Sequence, residues 1–314
     1  MDNYLVSICI PTYNAANYIV DSVNSILNQS YTNFEIIIVN DGSTDNTKTI
    51  LNSYSDRRLK IIHTQNKGQS AAANLAYQNS KGEYIKFFDA DDILSPHFIE
   101  NQVLVLKNNP NAIASAGWGR FKKNDLTTFK LNKEPVWRDM LPIDWIVESL
   151  ESNTNMMQCG LWLIPRNIIK KAGTWNPKLS LINDFDFFTR VLLASDMVLF
   201  TKDAILYYRS EIENSLSSQK SSKSLKSAFL SITSVVDNIL SFENSERTRK
   251  ICRNVLQHWK YQFYPKEMEL YSKTKELILP LGKADFKFPA GGKTKILTNL
   301  IGWKLTKKLK YLFK

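Results

Sequence analysis

The chain has 314 residues, of which 43% are hydrophobic and 23% are charged, a composition typical of a globular protein with a substantial core. The formal net charge of +11 is concentrated at one end, because residues 286–314 contain eight lysines and no acidic residue. This distribution argues against a uniformly basic nucleic-acid-binding protein, and we expect no nucleic-acid partner. The three cysteines lie far apart without C-x-x-C spacing, which argues against a disulfide framework or a zinc site and fits a reducing compartment.

The N-terminus has no basic segment followed by an apolar one, so we expect no signal peptide. No apolar stretch approaches the roughly 20 residues that a membrane-spanning helix needs. The sequence therefore predicts a soluble or peripheral protein.

Strand and helix patterns alternate over the first 120 residues. Apolar runs that end in polar turn residues predict four strands, in VSICIPTYN, FEIIIVNDGSTDNT, LKIIHTQNKGQS and GEYIKFFDADD. Ile19, Val23 and Ile26 have helical spacing, and AAANLAYQNS is also typical of a helix. Continuous apolar strands separated by helices indicate an α/β fold with a mostly parallel, Rossmann-like central sheet and flanking helices.

The pattern is less regular between residues 111 and 210. The segments AIASAGWGRF, GLWLIPR and MVLFTKDAILYYR are typical of strands. NDFDFFTRVLLAS predicts a helix with Asn183 as its N-cap and Asp184 in its first turn. After about residue 212 the chain becomes Ser- and Lys-rich with helical spacing, which indicates a boundary to a helical C-terminal region.

Polar clusters follow all four predicted strands of the first half, as PTYN, NDGSTD, NKGQS and DADD. In open parallel sheets, ligands bind in the crevice beyond the carboxyl ends of the strands. We therefore expect the four loops to converge on one site.

The cluster DADD places Asp89, Asp91 and Asp92 within four positions at the end of an apolar strand. Carboxylates this close repel one another unless a cation neutralises them. Mg²⁺ and Mn²⁺ favour oxygen ligands and commonly bridge carboxylates to substrate phosphates. The cluster is therefore interpreted as half of a site completed by metal and diphosphate, and the alternative is a strand end with solvated acids.

Two other loops offer groups that could contact a nucleotide. Asp41 could accept a hydrogen bond from a base N–H or a ribose hydroxyl, and Gly42 permits a tight turn. In PTYN, Tyr13 could stack on a base, while Thr12 and Asn14 could donate hydrogen bonds. The alternative for NDGSTD is a turn with a local Asx cap.

Together these motifs resemble those of the family 2 glycosyltransferases, which have the nucleotide-diphospho-sugar-binding GT-A fold. The resemblance rests on VSICIPTYNAANYIVDSVNSILNQSYTNFEIIIVNDGSTDNT, NKGQSAAANLA and GEYIKFFDADDILSP, in this order, and covers roughly residues 4–210. It implies a GT-A domain over residues 1–211, with a nucleotide-binding half over 1–115 and an acceptor half over 116–211. The helical region with its basic tail would occupy residues 212–314.

The resemblance also implies roles for individual residues. In the family, the first two motifs hold the nucleotide, and a D-x-D motif, here Asp89-Ala90-Asp91, binds the metal and the sugar nucleotide. Members often carry Arg just before the Asn of the third motif, but this chain has Ala73, which weakens any guanidinium contact to phosphate from that loop. The implied nucleotide-binding residues are Pro11, Thr12, Tyr13, Asn14, Asp41, Gly42, Gly68, Asp89, Ala90 and Asp91, with Asp89 and Asp91 holding Mg²⁺ or Mn²⁺.

The implied activity is inverting sugar transfer from a nucleotide-diphospho-sugar, with a UDP-sugar favoured, to a hydroxyl of a glycan or lipid-linked acceptor. The family and the tail together suggest polysaccharide or lipid-linked glycan synthesis on the cytoplasmic side of the membrane. Such a displacement needs a carboxylate base and a metal that stabilises the leaving phosphate. Asp184 matches the family's base position, with Asn183 replacing the more usual acid, and a helix's first turn favours an ionised carboxylate.

Three other residues are candidates for the acceptor side. Asp186 is the rival base, but it lies roughly 200° around the helix from Asp184 and four residues before Arg190, a spacing that suits an ordinary ion pair. Trp162 and Trp175 could pack on an acceptor sugar, and the alternative for each is core packing.

The basic end of the chain, KLTKKLKYLFK at residues 304–314, has Leu305, Leu309 and Leu312 on one helical face and lysines opposite. Segments of this type bind anionic membrane surfaces. The alternatives are a helix packed on the domain and a disordered basic end.

Two other functions are compatible with parts of the sequence. FFDADDI nearly matches the D-x-D-x-[TV] motif of haloacid-dehalogenase-type phosphatases, although that motif normally follows the first core strand. A non-catalytic scaffold that retains the nucleotide pocket is the third interpretation.

Overall fold

A sheet of five strands forms the centre of the structure, a computed structural model that describes residues 4–151, 157–212 and 221–312. Four strands are parallel, and a short fifth is antiparallel at the edge. The strands are β1 (Val6–Thr12), β2 (Phe34–Asp41), β3 (Leu59–Thr64), β4 (Tyr84–Phe87) and β8 (Ile164–Pro165). Their spatial order is β3-β2-β1-β4-β8. β2 is buried at seven of its eight residues, so both faces of the sheet are covered, as its continuous apolar sequence requires.

Three helices connect the parallel strands: α1 (Ile19–Leu27), α2 (Thr47–Asn52) and α3 (Gln69–Gln78). The buried face of α1 includes the Ile-Val-Ile spacing of the sequence. α3 buries small side chains, including Ala72 and Ala76, against β1 and β2, so its backbone lies close to the sheet. This packing places the first turn of α3 beside the carboxyl ends of the strands.

A second, mixed sheet has the spatial order β5-β9-β6-β7. The long strands β6 and β9 are parallel, with a register shift at Ala116/Gly117, and the other pairs are antiparallel. One helix packs on both long strands. The elements are β5 (Ile93–Leu94), α4 (Phe98–Leu106), β6 (Ala112–Lys122), β7 (Asp125–Leu131) and β9 (Met197–Ser210). The strands predicted in AIASAGWGRF and MVLFTKDAILYYR are therefore confirmed.

The strand predicted in GLWLIPR is largely wrong. The segment forms a 3₁₀ turn, Cys159–Leu161, followed by the two-residue strand β8. The backbone N and O of Leu163 bond to Ala114 of β6, each at 3.0 Å. The carbonyl oxygens of Gly160 and Trp162 accept hydrogen bonds from Nζ of the buried Lys86, at 2.6 and 3.3 Å. These groups therefore do not continue the ladder between β8 and β4.

Helices dominate the remainder: α5 (Pro142–Glu151), α6 (Arg166–Ala172), α7 (Asn183–Ala194), α8 (Ser222–Phe242), α9 (Glu246–Phe263), α10 (Met268–Ile278) and α11 (Gly292–Leu312). α7 packs on α5, α6 and α8, and α9 packs on α8 and α10. α11 is interrupted at Gly302, whose φ of 77° is not helical. The α/β class with a mostly parallel sheet and a helical C-terminal region is confirmed, and the domain division at residue 211 stays a prediction. Within the described ranges, no helix has the length and apolar character needed to cross a bilayer.

Candidate active site

The acidic loop begins directly after β4. Phe88 still bonds to the first sheet through its amide, which donates to the carbonyl oxygen of Cys9 at 3.0 Å. Asp89 and Asp91 follow with partly exposed side chains, while Asp92 is fully buried. Asp89 and Asp91 are therefore the acids of this cluster that a ligand could reach, while Asp92 is enclosed.

Arg209, near the end of β9, fixes the buried side of this loop. Its Nε donates to the backbone oxygen of Asp91 at 2.7 Å, and its amide N donates to Oδ1 of Asp92 at 2.9 Å. The guanidinium also donates to Oδ2 of Asp21 at 3.2 Å and to the carbonyl oxygen of Lys123 at 3.0 Å. No Lys or Arg lies directly beside the three aspartates in the sequence. The fold brings Arg209 to them from more than a hundred residues along the chain.

Asp184 lies in the first turn of α7, as predicted, and its Oδ1 accepts a hydrogen bond from the amide of Phe185 at 2.9 Å. The prediction of Asn183 as N-cap is wrong. The helix begins at Asn183, and Ile182 precedes it with a left-handed φ of 50°. The side chain of Asn183 instead bonds to α3, because its Nδ2 donates to Oγ of Ser70 at 3.0 Å and to Oε1 of Gln69 at 3.3 Å.

Gln69 connects the acidic loop to α7. Its Nε2 donates to Oδ1 of Asp89 at 3.0 Å, while its Oε1 accepts the bond from Asn183. One side chain at the start of α3 therefore ties the end of β4 to the helix that carries Asp184. Nothing in the sequence singles out this glutamine, since its role depends on the packing of α3 between the two elements.

The carboxylates of this site interact through their charges. Burial, together with repulsion from Asp91 and Asp184, raises the pKa of Asp89 to about 8, against the opposing hydrogen bond from Gln69. Burial also raises the pKa of Asp184, to about 6. The pKa of Asp91 is raised by burial, with its own backbone N–H and Arg209 acting in the opposite direction. The site thus concentrates negative charge that a bound cation would stabilise.

A divalent cation fits the donor chemistry of Asp89 and Asp91, because both present partly exposed carboxylate oxygens. Across the described residues, no group of three or more His, Cys, Asp or Glu side chains is arranged to hold a metal ion. The two aspartates would therefore form part of a coordination sphere whose other ligands come from diphosphate and water.

The loop after β2 is tied to the loop after β3. Both carboxylate oxygens of the buried Asp41 accept backbone hydrogen bonds at 2.8 Å, from the amides of Lys67 and Gly68. Gly42 has a φ of 71°, and a Cβ at this position would come within 2.7 Å of the backbone N of Asn66. Asp41 therefore supports the loop, and a base or ribose would reach only the lone pairs that remain on its oxygens.

The loop after β1 is tied to the loop after β2 in the same way. The amide of Asn14 donates to Oγ of Ser43 at 2.9 Å, and its Oδ1 accepts from the amide of Thr44 at 2.8 Å. Tyr13 is 51% exposed, so its ring is free to stack on a planar ligand. Pro11 and Thr12 are buried in β1, and the Thr12 hydroxyl donates back to Ile10 at 3.4 Å.

The three residues considered for an acceptor are buried. Trp162 is 0% exposed and Trp175 is 3% exposed, and Trp175 stacks on Phe187 with ring centroids 4.2 Å apart. Asp186 is paired with Arg190 at 2.8 Å and accepts a hydrogen bond from a serine of α8. This geometry favours core packing for both tryptophans and a structural ion pair for Asp186.

The sequence matches the family model described as glycosyl transferase family 2 over residues 7–173, which is more than half of the chain. The chain belongs to glycosyl transferase family 2. The matched range includes Asp89 and Asp91 and ends before Asp184.

Two relatives show how far the similarity extends. An uncharacterized glycosyltransferase of Rickettsia typhi is 33% identical over 213 residues, which are 65% of this chain and 64% of the relative. WfgD of Escherichia coli, a UDP-Glc:alpha-D-GlcNAc-diphosphoundecaprenol beta-1,3-glucosyltransferase, is 41% identical over 111 residues, 35% of this chain and 44% of WfgD. Both matches span less than two thirds of the relative's length.

The structure of TarS residues 1–349 from S. aureus in complex with UDP-GlcNAc superposes with a TM-score of 0.69. The match covers 88% of this chain and 81% of the TarS chain at 18% identity, so it bears on the fold alone. The GT-A fold expected from the sequence is confirmed by this likeness.

Arg209→Gln tests the support of the acidic loop. We expect the free energy of unfolding to fall by about 3 kcal/mol or more, because the buried oxygens of Asp91 and Lys123 lose their donor and Asp92 loses its neighbouring charge. Urea unfolding measures this loss. The exposed Arg57→Gln is the matched control and should change stability by no more than about 0.5 kcal/mol. Equal stability of both variants would contradict the role given to Arg209.

Proposed function

We propose that this protein is an inverting glycosyltransferase that moves a sugar from a nucleotide-diphospho-sugar to a hydroxyl of a glycan or lipid-linked acceptor. The observation that carries the proposal is the position of Asp89 between the two other acids: the charges of Asp91 and Asp184 raise its pKa, and Gln69 links it to α7, which carries Asp184. A site of mutually repelling carboxylates beside an exposed aromatic ring suits a divalent cation, a diphosphate and a base.

Each group has a separate task in the proposed reaction. Asp184 accepts the proton of the acceptor hydroxyl as its oxygen attacks the anomeric carbon, and the bond from that carbon to the diphosphate oxygen breaks. Asp89 and Asp91 would hold Mg²⁺ or Mn²⁺. When bound, the ion stabilises the negative charge that develops on the departing nucleoside diphosphate. Tyr13 would stack on the base.

The donor and acceptor classes are inferred from relatives. The name of WfgD specifies a UDP-glucose donor and a diphosphoundecaprenol-linked acceptor, and the TarS structure was solved with UDP-GlcNAc. We therefore favour a UDP-sugar as donor and a lipid-linked glycan as acceptor, in polysaccharide assembly on the cytoplasmic side of the membrane. Membership of family 2 disfavours the phosphatase hypothesis, because the FFDADDI segment lies inside the family match.

Asp184→Asn tests the base. We expect sugar transfer to fall by roughly 10²–10⁴-fold, because an amide cannot take the hydroxyl proton, while the affinity for UDP changes little. UDP release measures the rate, and calorimetry measures the affinity. Asp196→Asn, at an exposed position just after α7, is the control and should keep full activity. If Asp184→Asn retains full activity and Asp186→Asn loses it without unfolding, the assignment of the base is wrong.

Thermal shift with UDP-sugars tests whether binding of the donor depends on the metal. It also separates a protein that binds the donor, whether enzyme or scaffold, from a protein that does not. At a ligand concentration 100 times the Kd, a UDP-sugar with Mn²⁺ should add about 2.7 kcal/mol to stability and raise Tm by several degrees. The double variant Asp89→Asn, Asp91→Asn should lose the part of the shift that depends on Mn²⁺. The exposed Asp125→Asn should keep it. An undiminished shift in the presence of a chelator would contradict a metal-dependent site.

The pH profile follows from the pKa of Asp184, which burial raises to about 6. A base works only when ionised, so kcat/KM should increase as pH rises through about 6 and level off above it. Asp186→Asn should keep this acidic limb, since Asp186 is held in an ion pair away from the site. A value of kcat/KM that does not change between about pH 5 and about pH 8 would count against Asp184 as the base.

A further inference from the structure

α11 leaves most of its large apolar side chains in contact with solvent. Leu300 is 76% exposed, Leu312 is 66% exposed, Ile296 is 63% exposed and Leu305 is 56% exposed. Leucine and isoleucine at this exposure on one element are a sign of an interaction surface. The kink at Gly302 divides them into two pairs, one in each half of the helix.

Exposed lysines accompany both pairs. In the second half, Leu305 and Leu312 lie two turns apart on the same side, and Lys308 lies next to them around the helix. Lys304 is also exposed, but its Nζ lies over the rings of Tyr271 and Trp303, 5.6 and 6.0 Å from their centroids, and so faces the packed side. The first half likewise carries the exposed Lys293 and Lys295 next to its apolar pair.

The opposite side of α11 is packed on the protein. The ring of Trp303 meets those of Tyr261, Tyr264, Tyr271 and Phe288, with centroids between 4.7 and 6.5 Å apart. Thr306 is buried, and Nζ of Lys307 donates to the backbone oxygen of Tyr261. The exposed side is therefore the outer face of a docked helix.

We propose that this outer face binds the surface of an anionic lipid bilayer, and we name it the α11 face. It consists of Ile296, Leu300, Leu305 and Leu312 together with Lys293, Lys295 and Lys308.

The positive charge of the α11 face and its combination of apolar and lysine side chains favour an anionic bilayer as its partner. Apolar side chains enter the boundary between headgroups and acyl chains, while lysines extend their ammonium groups to anionic headgroups. Residues 286–314 contain no acidic residue, so a second copy of the α11 face would meet like charge. A nucleic acid would match the lysines and leave the leucines without apolar partners.

The α11 face is connected to the proposed active site by packed helices. Trp303 contacts α9 through Tyr261, α9 packs on α8, and α8 packs on α7, which carries Asp184. Binding to a bilayer would therefore orient the sheet edge as well as the tail. The inference concerns the surface of the chain and does not depend on the proposed reaction.

Vesicle co-sedimentation tests the proposal with the full chain and with vesicles of phosphatidylcholine alone or of an equimolar mixture with phosphatidylglycerol. We expect binding to the anionic vesicles that weakens as salt is added, and at least about tenfold weaker binding to the neutral ones. Absence of binding to anionic vesicles, or equal binding to both kinds, would overturn the proposal.

Two sets of variants locate the surface. Leu300→Gln, Leu305→Gln and Leu312→Gln together should lower partitioning about tenfold or more, because three apolar side chains no longer enter the bilayer. The matched control changes three leucines of similar exposure elsewhere, Leu104, Leu141 and Leu230, to Gln and should bind like the wild type.

The second set changes the three lysines of the α11 face to Gln and should remove most of the preference for anionic vesicles. Its control makes the same charge change at the exposed Lys81, Lys170 and Lys171 of the α/β part. Because all these side chains are exposed, the Tm of the variants should stay unchanged. If the leucine variant unfolds, the lysine variant still tests whether the α11 face binds anionic lipid. Binding that is unchanged in the lysine set, or self-association of the wild type that the leucine set abolishes, would refute lipid as the occupant.

Discussion

Aspartates at the end of a buried strand must be held against their mutual repulsion, and in this structure Arg209 and Gln69 hold the loop that carries them. Nε of Arg209 donates a hydrogen bond to the backbone oxygen of Asp91, and the buried carboxylate of Asp92 accepts one from the amide N of Arg209. Gln69 takes one oxygen of Asp89 from the other side. The second sheet and α3 thus clamp the loop from opposite directions. Only the carboxylates of Asp89 and Asp91 are left facing the open edge, where charge is concentrated for a ligand.

The loops beside this edge are cross-linked before any ligand arrives. Asp41 uses both oxygens on the amides of the next loop, and Asn14 exchanges hydrogen bonds with the loop after β2. Rigid loops lower the entropic cost of ligand binding. Tyr13, in the loop after β1, is 51% exposed. A preformed cradle of this kind agrees with the family to which the chain belongs.

The helical C-terminal region takes part in the same arrangement. Ser227 accepts backbone hydrogen bonds from the segment before α7, Ser231 donates to the backbone oxygen of Ile182, and Ser234 donates to Asp186. The serines of α8 therefore fix the start of the helix that carries Asp184. The Ser-rich composition that marks a boundary in the sequence is, in the fold, the contact surface of a packed helix. Docking of α11 by Trp303 continues this series of helices to the basic end of the chain.

The strands of the first half and the loops that follow them could be predicted from the sequence, because apolar runs and turn residues are local properties of the chain. The GT-A fold could be predicted for the same reason, since each family-like motif is a short segment read in order. The directions in which side chains face came from the tertiary structure. It buried Asp92 and Trp162, gave Lys86 to the carbonyls of a segment that resembled a strand, and brought Arg209 to the acidic loop. These outcomes depend on packing between residues some seventy to more than a hundred positions apart, which no local pattern records.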